Sequence, residues 1–268
     1  RCDLAMAGLL RARRHEEGAR RLLAEGHVGR WPLSLASAPS GLGGSLARLL
    51  RGPQYTSEYC RPKLFFPFLE DRALWPSNDE VSAALVERWR DIREEFREVM
   101  SEVACSDINT RGLTARGQWS KVPLFSHGVA HEGNLGRCPV TASTLAGLPL
   151  CRALGSAYFS RMAGGTAVRA HFGPTNARIR YHLGLDVPDG NIYLAIADGM
   201  YRWAEGRTLA FSDAFIHAVH HEESAPRGVL VVDVYHPGLS QAERRLLEDL
   251  ERVHRSFFPA AYENAVPH

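Results

Sequence analysis

Apolar positions repeat along this chain with two different periods. From Asp79 to Ala104 the residues Val81, Leu85, Trp89, Ile92, Phe96, Val99 and Val103 recur at spacings of three and four, which predicts one long amphipathic helix. Pro76 precedes it, and Ser77 with Glu80 has the spacing of a capping box, so the helix is expected to open there. Upstream, Leu9, Leu10, Ala19, Leu22 and Leu23 predict one or two short helices between Leu4 and Glu25. Trp31 to Pro62 is heavy in Gly, Ser and Pro and reads as a connector. The domain boundary is placed in it, giving a helical extension and linker over 1–62 and a main domain over 63–268.

After Gly155 the texture changes to short runs rich in β-branched and aromatic residues. Turn signals interrupt them at Gly164-Gly165, Pro174, Pro188-Asp189-Gly190, Asp198-Gly199, Glu205-Gly206 and Ala225-Pro226. Short strands about ten residues apart suggest a sandwich, jelly roll or small barrel, so the fold class is mainly β with flanking helices. Ser240-x-x-Glu243 then opens a final helix with the stripe Leu246, Leu247, Leu250 and Val253.

Composition narrows the function classes. With 45% hydrophobic and 23% charged residues and a net charge of +2, the 268-residue chain reads as an ordinary globular protein without a nucleic-acid-scale basic field. No apolar run approaches the roughly 18–20 residues that span a bilayer, so this segment is expected to make no membrane contact. A chain opening on Arg1 is expected to be cut from a longer one, and any anchor would lie upstream. Cys2, Cys60, Cys105, Cys138 and Cys151 form no C-x-x-C pair, which argues against a zinc ribbon or a dense disulfide framework. The pairing of Cys138 with Cys151 stays open.

The candidate chemistry centres on Arg178-Ile179-Arg180-Tyr181-His182-Leu183. In a strand, Arg178, Arg180 and His182 share one face and Ile179, Tyr181 and Leu183 the other. The polar face could look to solvent, or it could line a barrel interior as an anion site. Two histidines favour the second reading: His171 ends the preceding strand and His217 lies on a later one, as imidazole ligands of a divalent transition metal would. Jelly-roll iron sites usually add a carboxylate as His-x-Asp, but here that position is Gly173. Arg227, opening the apolar strand Gly228 to Val234, has the chemistry to grip the distal carboxylate of a dicarboxylate, and Ser160 could add a hydroxyl donor.

The run from His171 through Gly-Pro-Thr-Asn-Ala-Arg-Ile-Arg-Tyr-His to Leu185, with Trp203-Ala-Glu-Gly206, Phe211-Ser-Asp-Ala-Phe-Ile-His217 and Val232-Asp-Val-Tyr-His-Pro237, resembles the aspartyl/asparaginyl β-hydroxylases. The resemblance is strong from Ser160 to about Leu250. It is weaker back through Gly117-Gln-Trp119 to N-terminal helices that look like a tetratricopeptide-like remnant. It implies a double-stranded β-helix, or distorted jelly roll, that uses Fe(II), 2-oxoglutarate and O2 to hydroxylate the β-carbon of Asp or Asn, with EGF-like domains as polypeptide partners. It also implies residence in the endoplasmic reticulum lumen, or in the cytoplasm if the source is bacterial. His171 and His217 would hold the metal without an acid, and Ser160, Arg180, His182 and Arg227 would hold the cosubstrate. Trp119 matches a pocket tryptophan, and Arg178 is the candidate for holding the substrate side chain. The family's substrate-gripping arginine falls near Thr114, with Arg111 and Arg116 close by. The competing readings are a hydroxylase of a lipid or small molecule, a catalytically silent protein-binding module on the same scaffold, and a cupin-type isomerase or storage protein.

Overall fold

In the computed structural model, the described residues run from 59 to 257, apart from 63, 67, 68, 103–105 and 108–111. The expected helices between Leu4 and Glu25, the tetratricopeptide-like remnant and nearly all of the connector lie outside them. Along the chain, β1 (Leu74–Trp75) is followed by α1 (Glu80–Glu87), α2 (Trp89–Glu102), β2 (Ser106–Asp107), β3 (Thr114–Arg116), β4 (Trp119–Ser126) and β5 (Val129–Ala130). Two helices follow, α3 (Glu132–Gly136) and α4 (Pro139–Ala146). The strand-rich half holds β6 (Ser156–Met162), β7 (Ala167–His171), β8 (Arg178–Asp186), β9 (Ile192–Ile196), β10 (Gly199–Tyr201), β11 (Thr208–Phe211), β12 (His217–His221) and β13 (Arg227–Tyr235). Helix α5 (Gln241–Phe257) closes it.

The strands form two antiparallel sheets. The larger runs β1-β11-β8-β13-β6-β4-β2 with β5 on β4, and the smaller runs β10-β9-β12-β7-β3. From β6 to β13 the chain repeatedly crosses from one sheet to the other, which is the winding of a double-stranded β-helix. The mainly β jelly-roll class read from the sequence is therefore the observed one.

Two apolar layers hold this frame. Outside the larger sheet, Leu85, Ile92, Phe96 and Val99 from α1 and α2 pack on Phe159, Ile179, Tyr181, Leu183, Leu230 and Val232. Between the sheets, Met162, Val168, Leu194, Ile196, Phe211, Val219, Val229 and Val231 form the interior. Each strand of the larger sheet thus sends alternate side chains to the helices and to the barrel interior, as the pleat requires.

Local details depart from the expected ones. The single long helix is two, because Arg88 leaves helical geometry at φ −104° and ψ 10° and ends α1. The bend seats the Trp89 ring against Gly206, where a Cβ would lie 2.8 Å from the indole. The N-cap of α1 is Asp79 rather than Ser77: its carboxylate accepts from Ser82 N at 2.8 Å and also receives the Tyr181 hydroxyl. The capping box of α5 is as expected, with Ser240 N donating to Glu243 at 2.7 Å and Glu243 N to Ser240 Oγ at 3.3 Å. Cys60, Cys138 and Cys151 are buried free thiols, so Cys138 and Cys151 are not paired. Burial first, and nearby carboxylates second, push the Cys60 and Cys138 thiols up to about 12.

Candidate functional site

Arg178, Arg180 and His182 do face the barrel interior, while Ile179, Tyr181 and Leu183 pack beneath the helices. The two guanidinium groups meet two carboxylates there. Arg178 pairs with Asp213 at 2.5 Å and with Asp233 at 2.9 Å, and also donates to the Leu154 carbonyl at 2.5 Å. Arg180 grips Asp233 with Nε at 2.8 Å and Nη2 at 2.9 Å, and reaches Asp213 at 3.1 Å. Register explains part of this, because Asp233 on β13 stands directly opposite Arg180 on β8. Two cations and two anions neutralise one another, which is what makes their burial tolerable. Burial alone would lower the Arg178 and Arg180 pKa values, yet Asp213 and Asp233 outweigh it and raise both. Burial would raise Asp213, but Arg178 and Arg180 hold it below the usual carboxylate range.

Arg178, the sequence candidate for holding the substrate side chain, is a member of this ion box. Its side chain is 5% exposed and its nitrogens are committed to Asp213, Asp233 and a backbone carbonyl; Arg180, 15% exposed, likewise engages both carboxylates with all three of its nitrogens.

His171 and His217 are direct partners across β7 and β12, with ring centroids 4.1 Å apart. Each Nδ1 lies 2.8 Å from the carbonyl two residues earlier, of Arg169 for His171 and of Phe215 for His217. Nδ1 must carry the proton in both, so each neutral ring offers its Nε2 lone pair, the form in which imidazole binds a metal. Burial lowers both pKa values, and the neighbouring His171 helps bring His217 down to about 4. Among the described residues, His, Cys, Asp and Glu form no group of three or more placed to hold a metal ion, so the available set is this pair. The volume at Gly173 is not free: the Asp213 carboxylate fills it.

Farther along the interior lies Arg227, 1% exposed, with its guanidinium carbon 4.5 Å from the Trp203 ring centroid. Its Nε and Nη1 have no hydrogen-bond partner, and Nη2 reaches only the Met162 sulfur at 3.8 Å. Burial without a countercharge lowers its pKa to about 10. Trp203 Nε1 donates to His182 Nδ1 at 3.1 Å, so in the neutral ring the proton sits on Nε2. Burial first, then the Arg227 and Arg180 charges, holds the His182 pKa well below its ordinary value. Trp119 donates to Ser160 Oγ at 2.9 Å, which leaves the hydroxyl proton free to point elsewhere. Thr114 is buried on β3 opposite Val168, Arg116 is exposed, and Arg111 lies outside the described residues.

The structure brings His171, His217, Arg180, His182, Arg227, Ser160 and Trp119 to one interior. Sequence reasoning missed Asp213, Asp233 and His221. Asp233 carried a signal, since one acid in the apolar run Gly228 to Val234 needs a buried partner. Asp213 and His221 each share a sequence neighbourhood with His217, but only the packing of the sheets shows what they meet.

Fold and site together define a class: a jelly-roll domain with paired imidazoles at one position and a buried, unpaired cation at another. Residues 86–237 match the family described as aspartyl/asparaginyl beta-hydroxylase, and the chain belongs to that family. It is 42% identical over 141 residues to aspartate beta-hydroxylase domain-containing protein 2 of Homo sapiens, covering 50% of this chain and 38% of that protein. It is 35% identical over 172 residues to the aspartyl/asparaginyl beta-hydroxylase of Homo sapiens, covering 63% of this chain and 23% of that protein. The chain therefore spans well under half the length of these relatives. Among solved structures, a Pseudomonas putida prolyl-4-hydroxylase is similar at a TM-score of 0.36 and 16% identity, covering 57% of this chain and 88% of that one. Among the described residues no helix is long and apolar enough to cross a membrane.

Proposed function

We propose that this chain is an Fe(II)- and 2-oxoglutarate-dependent hydroxylase of the β-carbon of Asp or Asn in polypeptides, with EGF-like domains as the substrate class and the endoplasmic reticulum lumen as its site of action. The observation that carries the reading is Arg227, a buried guanidinium with Nε and Nη1 unpartnered, in the same interior as two neutral imidazoles that present their Nε2 atoms. A buried cation without a partner is costly, and a ligand carboxylate would satisfy it. The donor set also fits a divalent metal, since both histidines are oriented by backbone carbonyls and neither needs to lose a proton to bind.

Bound iron, 2-oxoglutarate and O2 supply the oxidising chemistry, and the protein supplies position and charge. His171 and His217 would hold the metal. Arg180 and the Nε2–H of His182 would face the cosubstrate carboxylate nearest the metal, while Arg227 and the Ser160 hydroxyl would face the distal one. Trp119 orients that hydroxyl. Asp233 and Asp213 hold Arg180 in place. The unpaired state of Arg227 counts against a silent binding module, which would have no use for it.

Turnover of 2-oxoglutarate to succinate, with Fe(II) and a panel of EGF-like peptides, tests the reading. Succinate formation that a peptide stimulates, with a mass gain of one oxygen on Asp or Asn, is expected. His171→Ala and His217→Ala should each abolish it and weaken Mn(II) binding. Wild-type protein that binds Mn(II) but never turns over 2-oxoglutarate sinks it.

A further inference from the structure

His221 is a buried polar residue that the reading above does not use. It is 0% exposed, and neither ring nitrogen has a hydrogen-bond partner. On β12, His217, Val219 and His221 alternate onto the interior face, so His221 lies on the metal-side histidine's own face, four positions farther along. Its backbone N donates to the Thr166 carbonyl, while Arg227 stands opposite Met162 on β6. Met162 and Thr166 are joined by the turn through Gly164, and that turn packs so tightly on the connection from His221 to Arg227 that a Cβ at Gly164 would lie 2.3 Å from the Ser224 carbonyl. The backbone thus brings His221 and Arg227 to the same end of the barrel, near enough for the Arg227 charge to act on the imidazole. Burial first, and then the Arg227 charge, lowers the His221 pKa, and the Ala225 backbone opposes this.

Four buried nitrogens are thus unpartnered at this end: Nε and Nη1 of Arg227, and Nδ1 and Nε2 of His221. The guanidinium can only donate, so it leaves the imidazole N–H without an acceptor. One carboxylate between them would accept from both. We infer that His221 is a further anion-binding residue, which together with Arg227 engages the distal carboxylate of a dicarboxylate cosubstrate. This rests on the oxygenase reading above. A monocarboxylic 2-oxo acid would leave both groups unpaired, so the pair would act as a selectivity element for a second carboxylate.

The test compares 2-oxoglutarate with 2-oxobutyrate, which lacks the distal carboxylate, by calorimetric binding to Mn(II)-loaded protein. His221→Leu is expected to weaken 2-oxoglutarate binding about tenfold or more while leaving 2-oxobutyrate and Mn(II) affinities unchanged. His221→Gln, which keeps an N–H donor, should recover part of the loss. His221→Met, more adaptable in a packed site, repeats the experiment should the leucine variant fold poorly, and the same selective loss is required of it. Unchanged 2-oxoglutarate affinity, or an equal loss for both oxo acids, overturns the role of His221 alone. Wild-type protein that binds Mn(II) but not 2-oxoglutarate overturns this inference and the oxygenase reading together.

Discussion

The Asp213 carboxylate occupies the volume that a side chain on Gly173 would need: a Cβ there would lie 2.4 Å from Cγ and 2.5 and 2.6 Å from the two oxygens. Gly173 N also donates to the Asp213 carbonyl at 2.6 Å. Arg178 and Arg180 hold that carboxylate in turn, so the glycine beside His171 is required by the ion box and is more than a vacated ligand position.

Substitution of Gly173 therefore acts first on packing. Gly173→Ala must push Asp213 off its arginines, and overpacking of this kind costs about 1–3 kcal/mol. Gly173→Asp adds a negative charge beside Asp213 and should be worse. Urea unfolding of both variants checks the order, and an alanine variant as stable as wild type would contradict it.

Asp233 is the hub of the same box, bonded to Arg178, Arg180 and Ser156 N. Its loss leaves two buried guanidinium groups sharing Asp213 alone. Breaking one partner out of a buried ionic cluster costs about 3–5 kcal/mol, so Asp233→Ala should be among the most destabilising single changes in the domain. The measurement is again equilibrium unfolding, and a loss under about 1 kcal/mol would mean the box is not coupled as its geometry implies.

How much of this was legible follows from the range of each signal. The alternation of Arg178, Arg180 and His182 against Ile179, Tyr181 and Leu183 is a local property of a strand, and it put these side chains on the two faces where the structure has them. What lies across the sheet is not local. Asp233 and Arg180 are 53 residues apart and meet through strand register, whereas Arg178 and Asp213 are 35 apart and meet through the connection between β11 and β12, so neither pairing is a local signal. The break at Arg88 was also hidden, because the apolar stripe continues through it and neither Gly nor Pro marks it.

Arg227 carries the opposite expectation from Asp233. A buried cation with unpartnered Nε and Nη1 destabilises the ligand-free fold, so Arg227→Met should leave that fold as stable as wild type, or more so. The same change removes a charge-assisted carboxylate contact worth about 1.5–3 kcal/mol, roughly a 10- to 150-fold loss of 2-oxoglutarate affinity. Thermal melts with and without Mn(II) and 2-oxoglutarate separate the two effects. A variant that melts lower without ligand, yet is stabilised by 2-oxoglutarate as much as wild type, would put this arginine in a structural role only.

The histidines set how the metal-free protein responds to acid. His217 is held down to about 4, against an ordinary 6.5, by burial and by His171 beside it. Between those two values the unfolded chain takes up a proton at this position that the folded chain refuses, so the unfolded state binds more protons and stability falls as pH falls. At 1.36 kcal/mol per pH unit the contribution of His217 approaches about 3 kcal/mol by pH 4. His171 and His182 are shifted the same way and add to the slope, whereas Asp213, held low by its arginines, gives up its stability only at lower pH. Urea unfolding of chelator-treated protein from pH 7 to pH 4.5 should show the decline, and His217→Asn, which cannot take up the proton in either state, should show a shallower one. Parallel curves for wild type and His217→Asn would mean that this imidazole is not desolvated in the way its burial implies.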